Sequence, residues 1–367
     1  MASLSGLATD MLPRFKSLGE ALLCNAVFNA PEMFKKEKAV LEVSNMAHDT
    51  VIQFSNQKRL HKHCRRVRVN TNRIARLVAL DSDNTADKYG NTPLHLVCYQ
   101  EEVSVEVIRI LLAAPNGIEA AYKLNKDGHT PLISAFYNCA SAEVILTLLA
   151  AAPETVAIAP TNGATPLHLA MVRDVPLDVI RALLATPSGT AATKMVDFNG
   201  NTPLQYACYT KASVEVITVL LNAAPETAMI TDENGFTPLQ RACKERASFK
   251  VISALLAAAP AAAGMVSIYG DTALHMACHT NASLEIITAL LAVAPETARR
   301  ADDNGWTPLL YACYNRASVE VITALLAAAP ETAGMASLQG MTPLMYAHKS
   351  NLSPAAIALI ENALKSL

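Results

Sequence analysis

From about residue 81 onward, the apolar positions follow a helical spacing that restarts at regular intervals. Between Asp232 and Ala263, Leu239, Ala242 and Cys243 fall on one helical face, and Val251, Ile252, Leu255 and Leu256 form a second stripe. Polar and turn-forming residues punctuate the two. Asp232-Glu233-Asn234-Gly235 reads as a turn, because Asn and Gly accept positive φ and Asp bonds its own backbone. Thr237 stands where a helix N-cap belongs, with Pro238 in the first helical place. The spacing predicts a short first helix ending near Arg246–Ala247. Ser248 then caps a longer second helix that Pro260 stops. Neither stripe is covered by its own unit, so neighbouring units must bury both.

The same phrase, a Thr with Leu two residues on and usually Pro between, recurs at Thr92, Thr130, Thr165, Thr202, Thr237, Thr272, Thr307 and Thr342. The spacings are 38, 35, 37, 35, 35, 35 and 35 residues. A fixed period in this range means stacked copies of one supersecondary unit. A length of 367 residues would otherwise suggest two or three domains, but a stack grows without separate cores. The expected division is a basic N-terminal helical region at 1–80 and an array of eight units at 81–367.

Composition sharpens this picture. Hydrophobic content is 51% and aromatic content only 5%, which suits helices packed with Ala, Leu, Ile and Val. Net charge is −2, with no global pull toward nucleic acid or membrane, yet residues 1–80 carry +7 and residues 81–367 carry −9. Five of the eight cysteines (Cys98, Cys208, Cys243, Cys278 and Cys313) lie six residues after a repeat Thr. They read as small buried residues in a reducing compartment, not as a disulfide framework. Met1–Thr9 lacks the basic start of a secretory signal, and no apolar run reaches the ~18–20 residues of a membrane span. An intracellular, cytoplasmic protein is expected.

The repeated unit resembles the ankyrin repeat, whose motif is G-x-T-P-L-H-x-A. Gly90-Asn91-Thr92-Pro93-Leu94-His95 and Gly163-Ala164-Thr165-Pro166-Leu167-His168 match it best, and Leu169-Ala170 extends the second. Gly270-Asp271-Thr272-Ala273-Leu274-His275 keeps all but the Pro. Gln205, Gln240, Ile133, Leu310 and Met345 replace the His elsewhere. The resemblance covers roughly Asp87–Leu367 and implies an all-α helical repeat solenoid with finger turns. It also implies that His95, His168 and His275 hydrogen-bond backbone between adjacent units. The common period here is 35 where the family uses 33, a form that looks like the arrays of algal or other protist proteins. Ala-Ser (as at Ala212-Ser213) replaces a usual Gly between the helices, and Ala-Pro-Glu-Thr (as at Ala224–Thr227) adds a short helical turn before the next finger.

The ends need caps. Ser353 and Pro354 start a last helix whose distal part is polar. At the other end, Asn72–Leu80 reads as the second helix of a degenerate repeat. Residues 1–44 read as an N-terminal helical cap or, alternatively, as an amphipathic arm that folds on a partner.

In the ankyrin family, partners bind the finger tips and the inner face of the first helices. Carried over by position, this gives Tyr89, His129, Phe198, Phe236, Tyr269 and Trp306 on the fingers. It gives Tyr99, Tyr137, Tyr209 and Tyr314 seven residues after the Thr. The competing reading for both sets is stacking of one unit on the next. A basic segment (Lys58, Arg59, Lys62, Arg65, Arg66, Arg68) could meet phosphates or an acidic protein, or be a solvated helix face. His61-Lys62-His63-Cys64 has metal-ligand residue types, but no second cluster at finger spacing completes a tetrahedral site. The chain contains no G-x-S-x-G, Walker, Rossmann or H-E-x-x-H motif. The expectation is a non-enzymatic scaffold for a protein partner, with no cofactor, metal or small-molecule substrate. The alternatives are a nuclear or nucleic-acid-linked adaptor using residues 58–76, and a structural subunit of a larger assembly.

Overall fold

The computed structural model describes residues 86–100 and 103–367. The predicted N-terminal cap, the degenerate repeat, the boundary at residue 80 and the basic segment lie outside the described residues. Units are numbered 1 to 8 by their Thr, from Thr92 to Thr342.

Each unit contributes an antiparallel pair of helices. The first helices are Pro93–Cys98, Pro131–Tyr137, Pro166–Val172, Pro203–Tyr209, Pro238–Lys244, Ala273–His279, Pro308–Tyr314 and Pro343–Lys349. The second helices are Val105–Ala113, Ala142–Ala151, Leu177–Leu184, Val214–Ala223, Phe249–Ala258, Leu284–Val293, Val319–Ala328 and Pro354–Lys365. First helices pack on first helices of adjacent units and second helices on second helices, so the apolar stripes form two parallel buried layers. The described residues contain no strand.

The N-terminal signals work as expected. In unit 5 the Thr237 hydroxyl accepts from the Gln240 amide at 3.2 Å, and the Gln240 side-chain oxygen accepts from the Thr237 amide at 2.7 Å. This reciprocal box satisfies two amides that would otherwise lack partners. Val251, Ile252, Leu255 and Leu256 are all buried.

The first helix of unit 5 ends at Lys244, two to three residues before the expected Arg246–Ala247. The reason is the turn chemistry. Arg246 takes a left-handed conformation (φ +60°), its amide reaches the Cys243 carbonyl, and the Ala247 amide reaches the Ala242 carbonyl at 2.9 Å. Lys211, Asn281, Arg316 and Asn351 do the same in their units. The place usually taken by Gly is therefore filled by the residue before Ala, not by Ala-Ser, and the Ser stands at the N-cap of the second helix, where Ser141 and Ser318 accept from Val144 and Val321 while Ser213 and Ser248 make no side-chain cap bond.

The added turn before each finger is present in two forms. Units 2, 4, 5, 6 and 7 use a 3₁₀ turn beginning at Pro153, Pro225, Pro260, Pro295 or Pro330. Units 1 and 3 use a short α-helix, Gly117–Tyr122 and Gly189–Lys194. These are the units with periods of 38 and 37. The extra residues are absorbed there, where the second helices are also shorter, 9 and 8 residues against 10 in units 2, 4, 5, 6 and 7.

Leu255 is fully buried and Leu284 is 38% exposed. Chemical denaturation should show Leu255→Ala costing ~2–5 kcal/mol, while Leu284→Ala costs about 0.5 kcal/mol or less. Equal costs would refute the assignment of these two positions to core and surface.

Candidate interaction surface

In six of the eight units the finger turn is closed by the side chain of its first residue. In unit 5, Asp232 Oδ1 accepts from the amides of Asn234 and Phe236, both at 2.9 Å, which closes the turn. Its other oxygen pairs with Arg241 on the following helix. In units 4 and 7 a Tyr fills the Arg position: Tyr206 donates to Asp197 and Tyr311 to Asp302, both at 2.8 Å. One carboxylate thus shapes the finger and ties it to its helix. Neighbouring fingers are joined by single backbone bonds, such as Ile268 N–H to Asn234 C=O at 3.0 Å and Asp303 N–H to Tyr269 C=O at 3.0 Å.

Adjacent units are locked together by the residue three after the Thr. His95 Nε2 meets the His129 carbonyl at 2.9 Å, His168 meets Asn201 at 3.0 Å, and His275 meets both Trp306 and Arg300 at 3.1 Å. Gln205 donates to Phe236 and Ile230, and Gln240 to Asp271 and Met265. The expected inter-unit role of the histidines is what the structure shows, and two glutamines perform it as well.

On this rigid frame the tyrosines seven after the Thr divide into two kinds. Tyr99 and Tyr137 are half-buried, and their hydroxyls accept from Asn125 at 3.1 Å and Asn162 at 3.2 Å, both in the next finger. Burial raises both phenols above their ordinary range. These two stack between units. Tyr209 and Tyr314 are 50% exposed.

The finger residues divide as well. Tyr89, Phe198 and Tyr269 are exposed, and Tyr269 donates to Asn234 of the preceding finger. His129 is half-buried against the Tyr137 ring, with centroids 4.9 Å apart. Phe236, expected at an exposed tip, is buried. Arg241 and Lys244 from its own first helix lie over the ring at 5.3 and 5.1 Å, and Tyr269 of the next finger closes the side. Its ring is held by cations that the repeat motif gave no reason to expect.

Trp306 is the centre of an aromatic cluster. Tyr311 and Tyr346 lie against it with centroids 4.8 Å away on tilted planes. Tyr314 stands edge-on to Trp306 at 5.6 Å and to Tyr346 at 5.7 Å. Tyr346 is buried, so the cluster has a fixed base and an exposed edge at Tyr314. Among the exposed apolar residues not singled out from the sequence are Ile268 and Leu338, four before the Thr. An apolar residue in a tip position that other units fill with Lys, Glu or Asp was the available signal.

Among the described residues, no group of three His, Cys, Asp or Glu is placed to hold a metal ion, and no helix is long and apolar enough to cross a membrane. The repeat cysteines are buried, which pushes the Cys243 and Cys313 thiols up to about 12. Cys139, nine residues after Thr130 and so outside the repeat position, is exposed. Lys58, Arg59, Lys62, Arg65, Arg66 and Arg68 lie outside the described residues.

The profile described as ankyrin repeats (3 copies) matches six overlapping stretches: 60–158, 143–230, 177–261, 212–299, 248–334 and 281–366. The chain belongs to the ankyrin-repeat family. No curated protein matches it at a significant level. A solved structure of the ankyrin repeat domain of Bcl-3, described as a unique member of the IkappaB protein family, is 24% identical. It superposes with a TM-score of 0.49 over 64% of this chain and 99% of that one.

The three bridging histidines give the stack a pH dependence. Burial is the main cause that lowers each from 6.5 to about 4, opposed by its bonds to carbonyl oxygens. An unfolded His takes up its proton near pH 6.5, whereas the folded one resists until about pH 4. Stability is therefore full above this window and declines as pH falls through it. At pH 5 each bridge should cost ~2 kcal/mol relative to pH 8. His275→Gln, copying Gln205 and Gln240, should leave stability at pH 8 within about 1 kcal/mol and reduce the loss at pH 5. Urea melts at both pH values check this, and an unchanged acid loss would contradict it.

Proposed function

We propose that this chain is a scaffold that binds a protein partner on the face formed by the fingers and first helices of units 4 to 8. The observation that carries the reading is the Trp306 cluster, a packed aromatic base with Tyr314 exposed at its edge. Tyr209 and Tyr269 extend exposed aromatic surface along the same face. Tyr and Trp anchors dominate binding energy at such surfaces. Bonds between units fix the rings before contact, so docking orders little that is not already ordered. The activity is interaction, not turnover, and a reducing cytoplasm is the setting that suits five buried free thiols.

Affinity capture from the source cell, with and without nuclease and read by mass spectrometry, identifies the bound protein. A partner retained after nuclease is expected. Tyr314→Ala should weaken it by about ten-fold or more, ~1.4 kcal/mol, while the loss of its edge-on ring contacts lowers stability by only about 1 kcal/mol and leaves the array folded. Loss of the bound material after nuclease would instead direct attention to residues 58–76. An unchanged affinity in Tyr314→Ala would refute the aromatic anchor.

A further inference from the structure

The outermost residue of each finger, four before the Thr, is exposed in all eight units, so packing does not dictate its identity. Units 1 and 2 place Lys88 and Lys126 there, side chains that water solvates well. Units 4 to 8 differ. Their tips read Phe198, Glu233, Ile268, Asp303 and Leu338, an apolar residue and an acid in strict alternation. The three apolar tips are 52%, 60% and 79% exposed. One such residue on a surface is ordinary, but three in register along a single row are not.

The row is held in place by the backbone. The amide of every tip from Phe198 to Leu338 donates to a carbonyl of the finger before it, at 2.9 to 3.1 Å. Ile268 Cγ2 lies 3.4 Å from where a Cβ on Gly235 would stand, and Asp303 Oδ1 lies 2.9 Å from the same point on Gly270. Glu233 and Asp303 are exposed, and among the described residues neither enters an ion pair. Arg299 and Arg300 stand at the end of the 3₁₀ turn before finger 7, and neither bridges to Asp303. Residues 81–367 carry −9 overall, so the wider field adds to the two carboxylates.

We infer that the tips of units 4 to 8 hold an extended polyproline-II segment of the partner, in which apolar and basic residues alternate at every third position. The inference rests on the partner-binding reading above and names what is bound. Packed helices stand ~8–10 Å apart, so equivalent tips repeat at about that step. A polyproline-II chain has three residues per turn and rises about 3.1 Å per residue, which returns one face every ~9 Å. A β-strand covers the step in three residues, ~10 Å, but turns the third side chain to its opposite face. An α-helix returns a face every two turns, ~11 Å, and needs about 29 residues to touch five tips that about 13 polyproline-II residues reach. Lys88 and Lys126 repel the basic residues, which confines the segment to units 4 to 8. Glu233 and Asp303 disfavour nucleic acid and anionic membrane on the same row.

The test uses the full chain and a fluorescein-labelled peptide, Leu-Pro-Pro-Lys-Pro-Pro-Leu-Pro-Pro-Lys-Pro-Pro-Leu, followed by anisotropy. Its contact pattern reads alike in both directions, so chain polarity does not enter. Binding should weaken as salt rises and be about ten-fold tighter than that of the same peptide with Glu for Lys. Ile268→Thr, copying Thr161, should weaken the Lys peptide about five-fold. The double variant Glu233→Lys with Asp303→Lys puts at both tips the residue that units 1 and 2 already carry, so it should melt with the parent. It should reverse the preference and bind the Glu peptide about ten-fold better than the Lys peptide. No reversal would overturn the inference. So would equal binding of Leu-Pro-Lys-Pro-Leu-Pro-Lys-Pro-Leu-Pro-Pro-Pro-Pro, which keeps the composition but spaces the contacts two apart. Capture of the natural partner separates the tips from the aromatic anchor. Loss in the double variant but not in Tyr314→Ala supports the tips and removes the anchor. Loss in Tyr314→Ala but not in the double variant overturns the tips and leaves the anchor standing.

Discussion

The bond on which the stack depends runs from one unit's first helix to the backbone of the next finger. The repeat Thr begins it by capping the helix with the residue three further on. That residue, His or Gln, faces its own Thr with one side-chain atom and the next unit with another. The cap and the inter-unit lock are therefore one side chain. Helix start, finger position and unit spacing cannot vary independently. This is why an array so poor in aromatic residues can still present rings at set places.

Where Ile133 and Leu310 stand at the same position, this bridge is absent, and packing carries the contact together with other bonds, such as Asn162 to the Tyr137 hydroxyl and Leu338 N–H to the Asn304 carbonyl. The junction of units 7 and 8 is of this kind, and it is also where Trp306, Tyr314 and Tyr346 gather. Ring-on-ring contact across that boundary supplies the cohesion that Leu310 does not. The cluster thus serves the stack as well as its surface.

Much of this was legible in the sequence because the rules involved are local. Thr-Pro, Asp-x-Asn-Gly and the paired apolar stripes each specify their own geometry within a few residues. The bridging histidines were legible through the family resemblance. The fates of the aromatic side chains were not. Whether Tyr99 or Tyr209 is exposed turns on what the next finger offers, and Asn125 holds the first while Tyr209 stands half in solvent. Phe236 was misread for a different reason, since Arg241 and Lys244 cover it from its own first helix. The left-handed turns were misplaced because Lys and Arg give no signal for that conformation, which is usually the province of Gly.

The finger glycines show how the array meets its neighbours. Gly305 has φ +75°, and a Cβ on it would stand 2.9 Å from the Leu338 amide of the next finger. Gly340 has the same φ and nothing within 4 Å. Seven fingers are seated against a successor and the eighth is not. Yet in units 4 to 6 the bridging side chain meets a finger carbonyl at one recurring separation, 31 residues for Gln205 to Phe236, for Gln240 to Asp271 and for His275 to Trp306. Excising one 35-residue period between units 4 and 7 would rejoin equivalent surfaces with every such bond intact. The array is thus a ruler graduated in whole units. Recombination among its own near-identical segments can lengthen or shorten it without devising a new contact, while changes to one unit's surface remain private to that unit.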